Sequence, residues 1–340
     1  MPDKLPIIDF ADFGDGTTPE SLGVAKRLLE ACQDVGFAYL INIGIPQSQV
    51  DDIFTWSRKF FTLPPAIKQL APHPKEAWKH RGFSGIGVEQ ISHEVFDPDE
   101  LALIRKQAPD FKESFDIGRA DSPHVENVWL PEEQLPGFRE AALSFFYTCR
   151  SFQVNKLMKA LSLGLGLGAD FLENYHRDGD NHLRLLYYPA APAETFFRGE
   201  KGRAKAHTAS SSSGSSFPPD FATATILFQD EENGLEVESP HGSGQFIPVP
   251  PIRGAVVFNV GDLLMRWSND TLKSTLHRVC PPHDQTGMVK ERYSIPFFIC
   301  ADVNALVDCL PGCWSADRPK KYEAVTAASY MNMRINANYA

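Results

Sequence analysis

Apolar positions in the first part of the chain recur at helical spacing. Between Leu22 and Val35 they fall at Val24, Leu28, Leu29, Ala31, Cys32 and Val35, one stripe of a helix that Gly36 then stops. The run Phe37-Ala38-Tyr39-Leu40-Ile41 predicts a strand directly after it. Val50 to Phe61 predicts a second helix, closed by Leu63-Pro64-Pro65 because proline disfavours helical backbone at the residue before it. Gly137 to Leu167 predicts a long helix whose end is weakened by Gly164, Gly166 and Gly168. From Asn181 onward the period changes. Short β-rich runs cover His182–Tyr188, Thr223–Gln229, Gly234–Glu238, Gln245–Val249, Ala255–Val260, Lys273–Cys280 and Arg292–Cys300, with turn residues between them. Strands at this spacing predict a sandwich or barrel and not a parallel sheet with crossover helices. Tyr322–Tyr339 predicts a terminal helix, and the serine- and glycine-rich segment 209–219 predicts a flexible excursion. The first half thus reads as mainly helical and the second as β-rich.

Composition narrows the classes. The chain has 340 residues, 43% apolar and 22% charged, which is ordinary globular composition with enough apolar material for a sizeable core. Lys plus Arg number 33 against 43 Asp plus Glu, a formal charge of −10, and no basic stretch forms a stripe able to neutralise several phosphates, so nucleic acid is not an expected partner. The longest apolar runs, such as Ala255–Val260, fall short of the roughly 20 residues that span a bilayer. The start Met1-Pro2-Asp3-Lys4-Leu5-Pro6 lacks the features of a secretory signal, and the expectation is a cytoplasmic protein without a membrane partner. Six scattered cysteines, with Cys309 and Cys313 their only close pair, are read as buried thiols.

Three groups form a candidate metal site: His207, a carboxylate shortly after it, and His277 in Lys273-Ser-Thr-Leu-His277-Arg-Val. Two imidazoles and one carboxylate make the facial triad that holds Fe(II) and leaves positions open for substrate and oxygen. Arg292 and Ser294 follow. Strand positions i and i+2 point to one face, so their guanidinium and hydroxyl can converge on a carboxylate ligand. Taken singly, each group is better explained as a structural or solvated residue.

The chain resembles the iron(II)/2-oxoglutarate-dependent dioxygenases of the isopenicillin N synthase-like superfamily, and within them the fungal thymine 7-hydroxylase-like group. The resemblance runs through Leu5-Pro-Ile-Ile-Asp9-Phe, Ala31-Cys-Gln-Asp-Val-Gly36-Phe37, Phe60-Phe-Thr-Leu-Pro64, Arg81-Gly-Phe and Lys112-Glu-Ser-Phe. It continues through Leu183-Arg184-Leu-Leu-Tyr-Tyr188-Pro, Asn259-Val-Gly-Asp262, Trp267 to Val279 and Arg292-Tyr-Ser294-Ile. It implies an α+β fold: a double-stranded β-helix, the jelly-roll barrel, with an N-terminal helical region packed outside and a C-terminal helix. The implied organisation is an N-terminal region over 1–135, a support helix over 136–180, the barrel over 181–305 with an insertion at 209–219, and a C-terminal helix over 306–340. It further implies Fe(II) on His207 and His277, 2-oxoglutarate and O2 as cosubstrates with ascorbate in support, and Arg292, Ser294 and Tyr188 around the 2-oxoglutarate. The reaction implied is oxidation of a C–H bond of a small-molecule substrate, with succinate and CO2 as coproducts. Leu186 stands where many relatives carry Asn, which removes one hydrogen bond to the cosubstrate.

One departure bears on the metal. Relatives place the carboxylate two residues after the first histidine, and here that residue is Ala209. In one reading the family pattern resumes after eleven extra residues, 209–219, so that Asp220 completes the triad; looping them out costs roughly 1–2 kcal/mol of closure entropy. In another, His207-Thr208-Ala209 stands as written, which resembles iron halogenases of the same cosubstrate class. A third makes the serine run foreign to the fold, leaving a poor iron binder or a binding protein on this fold. Candidate substrate contacts are Phe298, on the face of Arg292 by parity, Phe221 beside Asp220, and Arg184, for which Asp262 is a candidate structural partner.

Overall fold

The computed structural model describes residues 4–87, 111–192, 222–280 and 287–339. Its centre is an eight-stranded sheet. The strands are β1 (Ile7–Asp9), β2 (Phe37–Ile41), β3 (Gly82–Ser84), β4 (Glu113–Gly118), β5 (His182–Tyr188), β7 (Ala224–Gln229), β10 (Ala255–Val260) and β13 (Arg292–Ile299). Across the sheet they run in the order β1-β2-β10-β7-β13-β5-β4-β3, and within it only β1 and β2 pair in parallel. A three-stranded sheet contains β8 (Leu235–Glu238), β9 (Phe246–Pro248) and β11 (His277–Val279), with β8 in the middle. Two short ladders accompany them, β6 (Ala191–Pro192) with β12 (Met288–Val289), and β14 (Leu306–Val307) with β15 (Val325–Thr326).

The helices are α1 (Pro19–Asp34), α2 (Gln47–Phe61), α3 (Pro65–Lys68), α4 (Phe138–Phe152), α5 (Met158–Gly164), α6 (Asp262–Trp267) and α7 (Ala327–Tyr339). Thr18 caps α1 by accepting the Ser21 amide at 3.2 Å. The apolar stripe of α1, with its Val24, Leu28 and Cys32, joins Phe54 and Phe60 of α2 and Phe145 and Phe146 of α4 in one core against the large sheet. Ring pairs fix the contact: Phe146 meets Phe297 of β13 at 5.3 Å and Phe145 meets Phe228 of β7 at 5.1 Å.

The first half is less helical than its pattern suggests. It supplies β1, β2, β3 and β4, all of which enter the large sheet. The strand β4 was not predicted, although Ser114, Phe115, Asp116 and Ile117 alternate polar and apolar, the period of a half-buried strand. The long helix expected over Gly137–Leu167 is interrupted by a π-helical turn, Gln153–Leu157. There the fully buried Gln153 accepts from Asn181 Nδ2 at 2.6 Å, while Asn181 Oδ1 accepts the Cys300 amide at 2.8 Å, tying the helix to the start of β5 and the end of β13. The terminal helix begins at Ala327, five residues later than expected, because Val325–Thr326 pairs with β14.

The strand expected over Lys273–Cys280 forms only at His277–Val279. The preceding residues are bound to the end of α1: the Lys273 amide donates to Cys32 O at 2.8 Å and the Thr275 hydroxyl donates to Val35 O. Gly36 permits this approach. It has φ +77°, and a Cβ there would stand 1.9 Å from Lys273 O. The segment 209–219 lies outside the described residues. Among the described residues no helix is long and apolar enough to cross a membrane. The six cysteines are free thiols, four of them buried, with Cys280 and Cys309 half-buried.

His176 is a buried strut beneath β7. Its Nδ1 donates to Leu172 O at 2.6 Å and its Nε2 accepts from the Thr223 hydroxyl at 2.8 Å, so the ring is held neutral. Burial pushes its pKa down to about 4 from 6.5. The unfolded chain therefore binds more protons than the folded one between those values, and stability rises with pH across that window. Full stability is present above pH 6.5, and about 3 kcal/mol is lost on acidification to pH 4 from this group alone. Urea unfolding of wild type and His176→Gln across this range is expected to give the variant the flatter acid limb; equal slopes would remove His176 as the cause.

Candidate active site on the inner face of the sheet

Strand alternation sorts the large sheet into two unlike faces. On β13, Tyr293, Ile295, Phe297 and Ile299 enter the core under the helices, so Arg292, Ser294, Pro296 and Phe298 face the other way. The same parity turns Arg184, Leu186 and Tyr188 of β5, Ser114 and Asp116 of β4, and Thr225 and Gln229 of β7 to this inner face. The three-stranded sheet covers one side of it through an apolar cluster, in which Leu235 and Val237 meet Phe37, Tyr39 and Val257. The side formed by β3, β4, β5, β13 and β7 is polar.

Arg292 opens the polar side. It is 4% exposed, stands opposite Tyr188, and donates from Nη1 to Ser294 Oγ at 3.1 Å and from Nη2 to Gln229 Oε1 at 3.2 Å. Gln229 is oriented in turn by donating to Val249 O at 3.3 Å. The Tyr188 ring centroid lies 5.4 Å from the guanidinium carbon. Both of these hydrogen-bond partners of Arg292 are neutral, and its Nε is buried with no partner among the described residues. Asp230 is near enough for its carboxyl to feel the Arg292 charge, but burial raises its pKa and its oxygens accept the Tyr293 amide at 2.6 Å and the Glu232 amide at 3.0 Å. A buried guanidinium held by neutral groups suits a carboxylate ligand.

His277 starts β11 opposite Val237, half-buried, with its ring 5.3 Å from that of Phe37. Its Nδ1 lies 3.2 Å from Thr275 O, which can only accept, so the proton sits on Nδ1 and the lone pair on Nε2. A carbonyl that fixes the tautomer in this way is the usual support of a metal-binding imidazole. The anchoring of Lys273 and Thr275 to α1 holds the ring's backbone.

Arg184 differs from Arg292. Its Nε and Nη2 donate to Asp116 Oδ1 at 2.7 Å and Oδ2 at 2.9 Å, a bidentate pair with side chains 8% and 0% exposed. Its carboxylate partner is thus Asp116, its register neighbour on β4, and not Asp262, the candidate from the sequence. Asp262 instead begins α6. Phe298 does share the face of Arg292 and is half-buried. It stacks on His182 at 4.4 Å, and His182 stacks on His80 at 5.1 Å with ring planes 8° apart. Burial, reinforced by the positive neighbours His80, Arg184 and Arg81, holds the His182 pKa well below the usual imidazole range. His80 carries φ +35°, and its carbonyl accepts from Arg81 Nη1 at 2.9 Å. Ser84, in register with Ser114, is 2% exposed, and its Oγ has no partner among the described residues.

His207, Asp220 and Phe221 lie outside the described residues, and among the described residues no three His, Cys, Asp or Glu side chains cluster as a metal site. The structure brings together Arg292, Ser294, Tyr188 and Leu186, and separately Arg184 and Asp116. Asp116, Ser84, His182 and His80 were not singled out from the sequence. The alternation in β4 could have found Asp116; nothing in the sequence marks His80.

Two family profiles match the chain: "non-haem dioxygenase in morphine synthesis N-terminal" over residues 5–135 and "2OG-Fe(II) oxygenase superfamily" over 179–301. A 2-oxoglutarate-dependent dioxygenase, frbA of Dothideomycetidae sp. (strain 11243), is 35% identical across 99% of this chain and 97% of its own. The chain belongs to the 2OG-Fe(II) oxygenase superfamily. This oxygenase is also 35% identical to proline hydroxylase buaE of Petromyces alliaceus, over 98% of each chain. Its structure is similar to that of the full-length thymine 7-hydroxylase of Neurospora crassa in complex with α-KG and thymine, with TM-score 0.86 and 38% identity over 98% of this chain and 97% of that one. As a member, it is an oxidoreductase that uses Fe(II), 2-oxoglutarate and O2. The donor chemistry agrees: Arg292 with Ser294 fits a cosubstrate carboxylate, and the Nε2 lone pair of His277 fits a divalent metal.

The Arg184–Asp116 pair carries a stability consequence. Arg184→Leu strands the Asp116 carboxylate in the interior and is expected to lower unfolding free energy by about 3–5 kcal/mol. The double variant Arg184→Leu/Asp116→Leu is expected to regain most of it in urea unfolding; a double as unstable as the single would mean that the pair is not the reason.

Proposed function

We propose that this oxygenase hydroxylates a C–H bond of a small organic molecule, with Fe(II) held by His207, Asp220 and His277 and the distal carboxylate of 2-oxoglutarate held by Arg292, Ser294 and Tyr188. The observation that carries the reading is Arg292, a buried guanidinium with Ser294 and Gln229 as its neutral partners. The finer fold in this reading is the jelly-roll barrel, with the three-stranded sheet as the wall opposite the large sheet. The barrel spans 181–305 with an insertion at 209–219, preceded by the N-terminal region 1–135 and the support helix 136–180 and followed by the C-terminal region 306–340. The protein is proposed to work in the cytoplasm.

Bound iron supplies the coupling of O2 reduction to oxidative decarboxylation of 2-oxoglutarate, which yields succinate, CO2 and the oxidising power for the C–H bond. The chain's own groups supply position and electrostatics. Arg292 neutralises the distal carboxylate where solvent is excluded, and Ser294 Oγ adds a donor beside it. Gln229, locked by Val249 O, keeps the guanidinium aimed along the inner face. Thr275 O keeps the proton of His277 on Nδ1, so that Nε2 is always the coordinating atom. Leu186, 3% exposed beside Ser294, keeps water from the cosubstrate where an Asn would have donated. Phe298, Phe221 and Arg184 face the substrate in this reading, Arg184 as a guanidinium already matched by Asp116.

Anaerobic addition of Fe(II) and then 2-oxoglutarate is expected to give the weak visible charge-transfer band of the chelate, and aeration to give succinate. Arg292→Leu is expected to raise the KM for 2-oxoglutarate about 10- to 150-fold, the loss of a charge-assisted contact. Asp220→Ala is expected to abolish the band. Wild-type protein with neither band nor succinate would overturn the reading, and an Asp220→Ala variant that keeps the band and turns over only with chloride would overturn the role of Asp220.

A further inference from the structure

The backbone that leads to His277 is held from two sides. On one side it leans on the end of α1, where the Thr275 hydroxyl donates to Val35 O. On the other stands the turn 239–245, which joins β8 to β9. Glu238, 2% exposed at the end of β8, builds that turn: its carboxylate accepts the amides of Gly242 at 2.9 Å and Gly244 at 2.6 Å, while the Ser239 amide donates to Gln245 O at 2.8 Å. Gly242 and Gly244 have φ +78° and +70°, a backbone that a side chain would resist. The turn so fixed carries the half-buried His241, whose Nδ1 lies 3.0 Å from Thr275 Oγ1. Thr275, 1% exposed, has one hydroxyl proton, and that proton goes to Val35 O, so its oxygen accepts here and His241 Nδ1 donates. The carbonyl of the same threonine accepts from His277 Nδ1 at 3.2 Å.

We infer that His241 is a positioning residue for the metal site: by pinning Thr275 it holds the carbonyl that aims the His277 ring, and so raises the affinity for a divalent metal. The inference rests on the assignment of His277 as an iron ligand made above. Burial, partly offset by Glu238, lowers the His241 pKa, which keeps the ring neutral with its one N–H directed at Thr275. Thr275 Oγ1 then stands in an unbroken line from His241 to Val35, in which each hydrogen bond polarises the next. The ladder does not replace this tie. The Glu238 amide donates to Leu276 O at 2.8 Å and so fixes the peptide group after Thr275, whereas the peptide group of Thr275 itself is held through its side chain. A group that orients a metal-binding imidazole from behind in this way affects metal affinity without touching the metal.

The test uses the full chain, stripped of metal and titrated at pH 8 under argon. Fe(II) is added with saturating 2-oxoglutarate and read from the charge-transfer band; Mn(II) is added alone and read from the unfolding midpoint. His241→Leu is expected to weaken the apparent affinity for both metals about tenfold or more, whereas His241→Asn, whose side-chain amide can donate from the place of Nδ1, is expected to restore most of it. The KM for 2-oxoglutarate at saturating Fe(II) is expected to stay at the wild-type value in both. Thr275→Val is expected to weaken metal binding as well, and adding His241→Leu to it to weaken binding no further, because the route runs through the hydroxyl. A His241→Leu variant that is less stable without metal but binds both metals as wild type does would make His241 merely structural and overturn the inference. So would an Asn variant as weak as the Leu variant, or losses that add in the double variant; should Thr275→Val not fold, the Leu and Asn variants decide. A wild-type chain that binds neither metal, or a His277→Ala variant that binds both normally, overturns the assignment of His277 and the inference with it, while a loss in His277→Ala with none in His241→Leu counts against the positioning role alone.

Discussion

A buried guanidinium needs a negative partner, and the inner face of this oxygenase is organised by how that need is met. Arg81 has Asp180 and Arg184 has Asp116. Arg292 has Ser294 and Gln229 as its hydrogen-bond partners among the described residues, both neutral. Two of the three guanidiniums are thereby paired with a carboxylate, while the hydrogen bonds of the third among the described residues go to neutral groups. This difference, and not the number of arginines, sets Arg292 apart on the inner face.

Holding such buried charges requires a scaffold that does not relax around them. The outer face of the large sheet provides it, with Phe115, Leu185, Ile226, Phe258 and Phe297 pressed under α1, α2 and α4 in one continuous core. Because side chains alternate along a strand, a slip of one residue in any register would exchange that core for the polar face, so packing outside and chemistry inside fix each other. The π-turn at Gln153–Leu157 serves the same end, since it brings Gln153 to Asn181 and so locks β5 against β13, the strands that carry Arg184 and Arg292.

Much of this was legible in the chain. The pair Arg292 and Ser294 could be placed on one strand face from spacing alone, and the longer strands of the β-rich second half were found, while the two-residue strands β6, β12, β14 and β15 were not. What escaped had a physical reason. The strands β3 and β4 sit in a stretch dominated by helices, and β3 is only three residues long, too short for its alternation to register. The partner of Arg184 was missed because cross-strand register, not sequence distance, decides it: Asp116 is 68 residues away and directly opposite. The stack of His80 on His182 depends on a left-handed backbone at a residue with a side chain, which no pattern announces. The departure at Ala209 stayed open in the sequence, and His207 and Asp220 lie outside the described residues.

The contact at Gly36 joins the two halves of the molecule more tightly than their separate family profiles suggest. The segment leading to His277 leans on the carboxyl end of α1 so closely that one missing methyl group sets the distance. The N-terminal region is therefore part of the machinery that sets the ring of His277 and not a wrapper around it. Recombining halves from different members of the superfamily would transplant one side of a fitted joint without the other.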